Sequence, residues 1–166
     1  PMEGYTRNTI YQDTGLPWIA TSPKIKNLDN VFGYMATGLG EGTGIQQNDF
    51  TWIGGKGIDA VRFAELMNGS GIPGVTYVAE TINGLGGVRL QVTDHRSFNP
   101  VKSGLYALAY ARQLCGYTVP KSGTTTVMFD KIQGTARIGQ WLEQKLSPQE
   151  IESRYAEELN AFKVER

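Results

Sequence analysis

Glycine placement is the tightest constraint on this chain. Of its 166 residues 21 are glycine, nearly double the usual share of about 7%. Fourteen of them fall between Gly33 and Gly87. Glycine weakens helix and strand interiors, and it permits backbone conformations with φ > 0 and close approach of other groups. The first half should therefore be turn-rich with short elements. After Gly139 the chain is charged, free of glycine and helical in pattern. Strands and helices intermingle, which predicts an α+β domain with a mixed sheet and packed helices rather than a regular βαβ repeat. Residues 1–166 read as one domain.

Several elements are legible. Asp59 can cap a helix over 60–68, with Val61, Phe63, Leu66 and Met67 as its apolar positions and Gly69 at its end. Ser103 is the expected cap of a helix over 104–115, apolar around most of its girth and closed by Gly116. Ser147-Pro148-Gln149-Glu150 is a capping box with proline at the first helical position. Behind it, Ile151, Tyr155, Leu159 and Phe162 form one stripe expected to face a core. Strands are expected over 75–82 and 88–93, joined through Asn83-Gly84 and Gly86-Gly87, with a third near 34–39.

Composition excludes more than it assigns. Sixteen basic residues balance sixteen acidic ones, so the chain lacks the cationic excess of a phosphate-backbone binder, and no nucleic-acid partner is expected. No apolar run is long enough to span a bilayer. One cysteine, Cys115, and one histidine, His95, exclude a disulfide framework and most metal constellations, so neither metal nor cofactor is expected. Cys115 lies on an apolar helix and reads as packing. The opening Pro1-Met2-Glu3-Gly4-Tyr5 has no signal-peptide pattern and reads as the start of a fragment.

Three segments can carry chemistry. Gly38-Leu-Gly-Glu-Gly-Thr-Gly44 exposes backbone amides around one carboxylate, Glu41. It matches neither G-x-G-x-x-G, since Thr43 replaces the third glycine, nor a P-loop. It is either a surface loop or a ligand-facing loop in which Glu41 serves sugar hydroxyls or acid–base work. Asp94-His95-Arg96 follows a strand and sets an acceptor, a titrating group and a fork donor side by side. Ordinary loop bonding is the competing account. Trp18, in a proline-stiffened segment with Ser22, can stack on a sugar or fill a core.

In order, these segments resemble the C-terminal half of the exo-β-N-acetylmuramidases of the NamZ type. The matching pieces are Met2 to Arg7, Gly15-Leu-Pro-Trp18 with Ser22-Pro23, Tyr34 with Ala36-Thr-Gly38 and Gly40-Glu41, and Trp52-Ile-Gly54 with Ile58-Asp59. Ile72-Pro-Gly-Val75, Val92 to Phe98 with Pro100 and Gly104-Leu105, and Phe129-Asp130 with Gly134 complete the series. Two departures stand out: Lys24 and Lys26 replace residues common in the family, and 41–50 lacks an arginine many members carry there.

The resemblance implies a two-domain protein. A Rossmann-like N-terminal domain, absent from this chain, would carry the main catalytic glutamate. This chain would supply one wall of the cleft, inactive alone, with Glu41 as an accessory catalytic group and Trp18, Ser22, Asp94, His95 and Arg96 on substrate. The implied partners are peptidoglycan fragments or another amino-sugar saccharide and the N-terminal domain. The implied reaction is release of N-acetylmuramic acid from non-reducing ends, in cell-wall recycling and in an extracytoplasmic setting. A non-catalytic saccharide-binding or structural module is the alternative. The enzyme reading expects Glu41, Asp94 and Trp18 on one face and an exposed apolar docking patch; the alternative expects them scattered.

Overall fold

The computed structural model describes Glu3, Gly4, Thr6 and residues 9–165. Met2, Tyr5 and Arg7 of the opening motif lie outside the described residues. The architecture is α+β. Helix α1 (Leu28–Thr37) leads through a 3₁₀ turn (Gly38–Gly40) into the hairpin β1 (Gln46–Asn48) and β2 (Trp52–Gly55). Helix α2 (Ala60–Gly69), the hairpin β3 (Val75–Ile82) and β4 (Leu85–Val92), and the long helix α3 (Pro100–Cys115) follow. Three helices close the chain: α4 (Met128–Gln133), α5 (Arg137–Glu143) and α6 (Pro148–Val164).

The sheet runs β1-β2-β4-β3 and is antiparallel throughout, not mixed. The reason is topological. β2, α2 and β3 form a right-size crossover unit, but β4 returns from its hairpin into the gap between β2 and β3. Asn83 and Gly84, both at positive φ, make the two-residue turn that this return needs. Gly86 and Gly87, expected in the connection, lie inside β4. A Cβ on Gly86 would overlap the Ile58 carbonyl, and one on Gly87 would overlap the Trp52 ring. These glycines permit close packing rather than turning.

Alternation sorts the sheet into two faces. Ile53, Val75, Tyr77, Val88 and Leu90 face the main core, with Phe63 and Met67 of α2 and Leu105 and Leu108 of α3. Trp52, paired with Arg89, points the other way and is still only 2% exposed, because its ring lies over Gly54 and Gly87.

Three local expectations are corrected. The segment near 34–39 is not a strand but the end of α1 and its 3₁₀ turn, because the Asn27 side chain accepts from the Asn30 amide and starts a helix upstream. Helix α3 starts at Pro100, capped by Asn99, not Ser103. Ser103 is buried and accepts from the Tyr77 hydroxyl at 2.8 Å. Burial pushes the Tyr77 phenol up to about 12, outweighing that bond. The α6 stripe is only half core. Ile151 is buried and Tyr155 half-buried, but Leu159 and Phe162 are 39% and 53% exposed. Helix α6 packs on α3 through its first half.

Helix α6 is fixed to α3 by Glu152, which accepts from Lys102 Nζ at 2.8 Å and from the Tyr106 hydroxyl at 2.6 Å. Desolvation raises the Glu152 carboxyl, but those two partners prevail and hold it below its ordinary 4.5. A carboxylate that binds protons less readily when folded stabilises the fold above its unfolded pKa and loses that contribution as pH falls through its folded one. Stability should therefore decline below about pH 4.5. Glu152→Gln should flatten that decline and cost up to about 1 kcal/mol at pH 7, as partly exposed ion pairs do. Urea midpoints of both proteins between pH 3 and 7 check this; parallel curves would contradict it.

Candidate functional site

The glycine-rich loop is held by its own threonine and by α4. Thr43 is buried; its hydroxyl donates to Gly40 O at 2.6 Å and accepts from the Ile45 amide. Gln133 of α4 donates to Leu39 O at 2.9 Å. Gly42 and Gly44 sit at φ +79° and +80°, where other residues would be strained. The loop is thus an ordered shelf, with Glu41 exposed at its edge.

Opposite the shelf stands a strained turn. Asp49 and Phe50, between β1 and β2, both adopt positive φ, 45° and 61°. Such backbone costs of order 1–3 kcal/mol per residue and persists only when its surroundings impose it. Here they do. Asn30 of α1 donates to Asp49 O at 2.8 Å, and Gly33, one turn on, brings the helix against the Phe50 carbonyl. Asp49 Oδ1 accepts from Thr51 Oγ1 at 2.6 Å and from Arg89 Nη1 at 2.8 Å. Arg89 also forks onto Glu80, at 2.7 and 3.1 Å. This bidentate pair fixes the guanidinium from the far side of the turn.

Between shelf and turn lies an open cleft of about 460 Å³. Tyr34 of α1 and Phe50 meet edge to face at its wall, with ring centroids 4.9 Å apart. Gln46 and Gln47 of β1, Ile132 of α4 and the loop glycines complete it. Among the described residues Glu41 has no hydrogen-bond or ion-pair partner. An aromatic wall, amide side chains, bare backbone and one uncommitted carboxylate provide stacking, neutral hydrogen bonding and one charge.

The other sequence-derived candidates lie elsewhere. Arg96 Nη2 donates to both Asp13 oxygens, at 2.9 and 2.8 Å. The Ile10 amide and Arg96 hold the Asp13 carboxyl below its ordinary value. His95 Nε2 is 2.6 Å from Asp29 Oδ1, at the start of α1, with its ring edge-on to Phe32. Asp94 closes its own loop, accepting from Ser97 Oγ at 2.7 Å and from the Arg96 amide, and these lower its carboxyl. Ser22 accepts from the Lys24 amide. Trp18 donates to Ile25 O at 3.2 Å and packs edge-on to Tyr11, in a shallow groove of about 260 Å³. Arg96 thus fastens the segment before α1, His95 ties the loop to the start of α1, and Asp94 shapes the loop itself. They and Trp18 do not meet Glu41: Asp29 and Thr37, at opposite ends of α1, are about 12 Å apart along the helix.

A further hollow of about 500 Å³ between α3, α5 and α6 is lined by Leu105, Ile138, Trp141 and Leu159. Its cations Lys102 and Arg137 are paired with Glu152 and Glu158. Among the described residues no group of acidic, histidine or cysteine side chains is arranged to hold a metal, and no helix is long and apolar enough to cross a membrane.

Comparison with known proteins decides the family. Residues 32–166 match the model for the exo-β-N-acetylmuramidase NamZ C-terminal domain. This chain belongs to that family. It is 31% identical over 179 aligned positions to the peptidoglycan β-N-acetylmuramidase NamZ of Bacillus subtilis (strain 168), covering 99% of this chain and 43% of that protein. The fold is also that of a crystal structure of a DUF1343 family protein from Bacteroides fragilis NCTC 9343. That TM-score is 0.70 at 21% identity, over 86% of this chain and 42% of the other. The chain thus spans less than half the length of either relative. The matched range contains the whole cleft and the 94–96 loop; Trp18 and Ser22 precede it.

Tyr34, Gln46, Gln47 and Phe50 were not singled out from the sequence as site residues. The local pattern around Tyr34 suggests a strand, where the structure has α1. Phe50 is recruited by a turn conformation that its type disfavours, which no local pattern announces.

Proposed function

We propose that this chain is the substrate-wall domain of a peptidoglycan-directed exo-β-N-acetylmuramidase that releases N-acetylmuramic acid from non-reducing ends. An N-terminal domain of the same protein supplies the principal catalytic carboxylate, and the chain alone is inactive. The setting is extracytoplasmic, where cell-wall fragments are met. The observation that carries this reading is the cleft between Glu41 and the Tyr34–Phe50 pair, inside the range that matches the family. Exposed apolar side chains beside it, Tyr34 and Met35 on α1 with Met128 and Ile132 on α4, suit a surface against which another domain closes.

Family membership and the free carboxylate support the enzyme reading. The internal bonding of Asp94, Arg96 and Trp18 favours a second one, a saccharide-binding module without catalysis, since it removes those groups from a shared site. The test is hydrolysis of a chromogenic N-acetylmuramide and the matching N-acetylglucosaminide by the full-length protein. Release from the muramide alone is expected. Release from neither would leave the binding-module reading.

Tyr34→Ala should lower kcat/KM by about three- to tenfold, the scale of an aromatic contact of about 0.5–1.5 kcal/mol. Asp94→Asn should change it less than twofold. The reverse order would move the site to the 94–96 loop.

A further inference from the structure

The charge of the cleft says which sugars it takes. Among the described residues lining it, Glu41 is the one carboxylate, and no lysine, arginine or histidine is present. Two neighbouring cations are already paired. Arg89 is held by Asp49 and Glu80 on the far side of the Phe50 turn, and Lys121 is paired with Glu143. Lys131, next to Ile132 on α4, is not part of the lining. The remaining groups, Gln46, Gln47, Thr37 and the loop backbone, are neutral.

Resting on the saccharide reading of this cleft, we infer that it selects amino sugars without a carboxylate, and that Glu41 is the discriminating residue. A carboxylate-bearing sugar entering here meets Glu41 with no cation in the described lining to offset it. Charges that share one cleft interact within a screening distance of about 8–10 Å at ordinary salt. A sugar amine instead gains a charge-assisted partner, and an N-acetyl sugar is neutral toward Glu41 and keeps the amide and aromatic contacts. In a full-length muramidase the lactyl carboxylate of N-acetylmuramic acid is then held outside this cleft, and the cleft takes an uncharged neighbouring sugar.

The test uses this 166-residue chain and amide NMR shifts of Gly38–Gly44, Gln46 and Gln47. Glucosamine, N-acetylglucosamine and N-acetylmuramic acid are titrated at low salt and at 0.5 M NaCl. The expected affinity order is glucosamine, then N-acetylglucosamine, then N-acetylmuramic acid. Each step should be about two- to fivefold, as for one solvent-exposed charge pair. The order should compress at high salt and in Glu41→Gln. N-acetylmuramic acid binding as well as N-acetylglucosamine, or an unchanged order in Glu41→Gln, would overturn the inference and leave the saccharide cleft standing. No shift at these amides with any sugar would overturn both.

Discussion

Gly33→Ala is expected to destabilise the chain by about 3 kcal/mol or more and to disable the cleft. Local propensity argues the opposite sign, because replacing a helical glycine by alanine gains about 0.5–1 kcal/mol. The new Cβ, however, would overlap the Phe50 carbonyl oxygen and carbon. Both partners are backbone, so no rotamer change relieves the contact. The turn cannot retreat easily, since Asn30 holds the Asp49 carbonyl and Arg89 holds the Asp49 carboxylate. Forced overpacking costs about 1–3 kcal/mol even where side chains can yield, so the steric cost exceeds the propensity gain. Any relief must come from moving α1 away from the turn, which separates Tyr34 from Phe50. Urea unfolding gives the first effect, and loss of sugar-induced shifts at Gln46 and Gln47 the second. A change below about 1 kcal/mol would mean that helix and turn are not packed as described.

That position also shows where sequence reasoning stops. Helix α6 was legible because its start is written locally, in Ser147 and Glu150, and its capping box forms. Strand β3 and the Asn83-Gly84 turn were legible for the same reason. Helix α1 was not, because a glycine in a helix looks like a breaker when the carbonyl that requires it lies 17 residues further on. The far half of the α6 stripe is more exposed than its periodicity suggests, because periodicity identifies an apolar face but not what lies opposite it. Glu41 was legible as the single ionisable group among glycines. Its aromatic partners were not, since Tyr34 and Phe50 meet only through the α1–turn packing. The 94–96 loop carries the right residue types for a site, and the structure commits them to structural bonds: Arg96 to Asp13, His95 to Asp29 on α1 and Asp94 within the loop.

The strand glycines lead to the second large effect. Trp52 stands on the sheet face opposite the main core and lies down over Gly54 and Gly87, its own-face neighbours on β2 and β4. Its Nε1 donates to Glu80 O at 3.2 Å. Trp52→Ala should cost about 3–5 kcal/mol, as removal of a fully buried large aromatic does. Gly87→Ala should cost about 1–3 kcal/mol, because its Cβ meets both the indole ring and the Ile53 carbonyl at 2.5 Å. Combined, the two should fall short of the sum by about 1–2 kcal/mol, since removing the ring vacates part of the space the new methyl needs. The Ile53 carbonyl remains, so the rescue is partial. Gly86→Ala is the control. Its Cβ faces the Ile58 backbone on the other side of the sheet, and its cost should add fully to that of Trp52→Ala. Full additivity at Gly87 in urea unfolding would mean that the glycine serves strand pairing and not the indole. Sub-additivity at Gly87 but not at Gly86 would tie the paired strand glycines to one tryptophan, which is why the sequence carries them where a turn was expected.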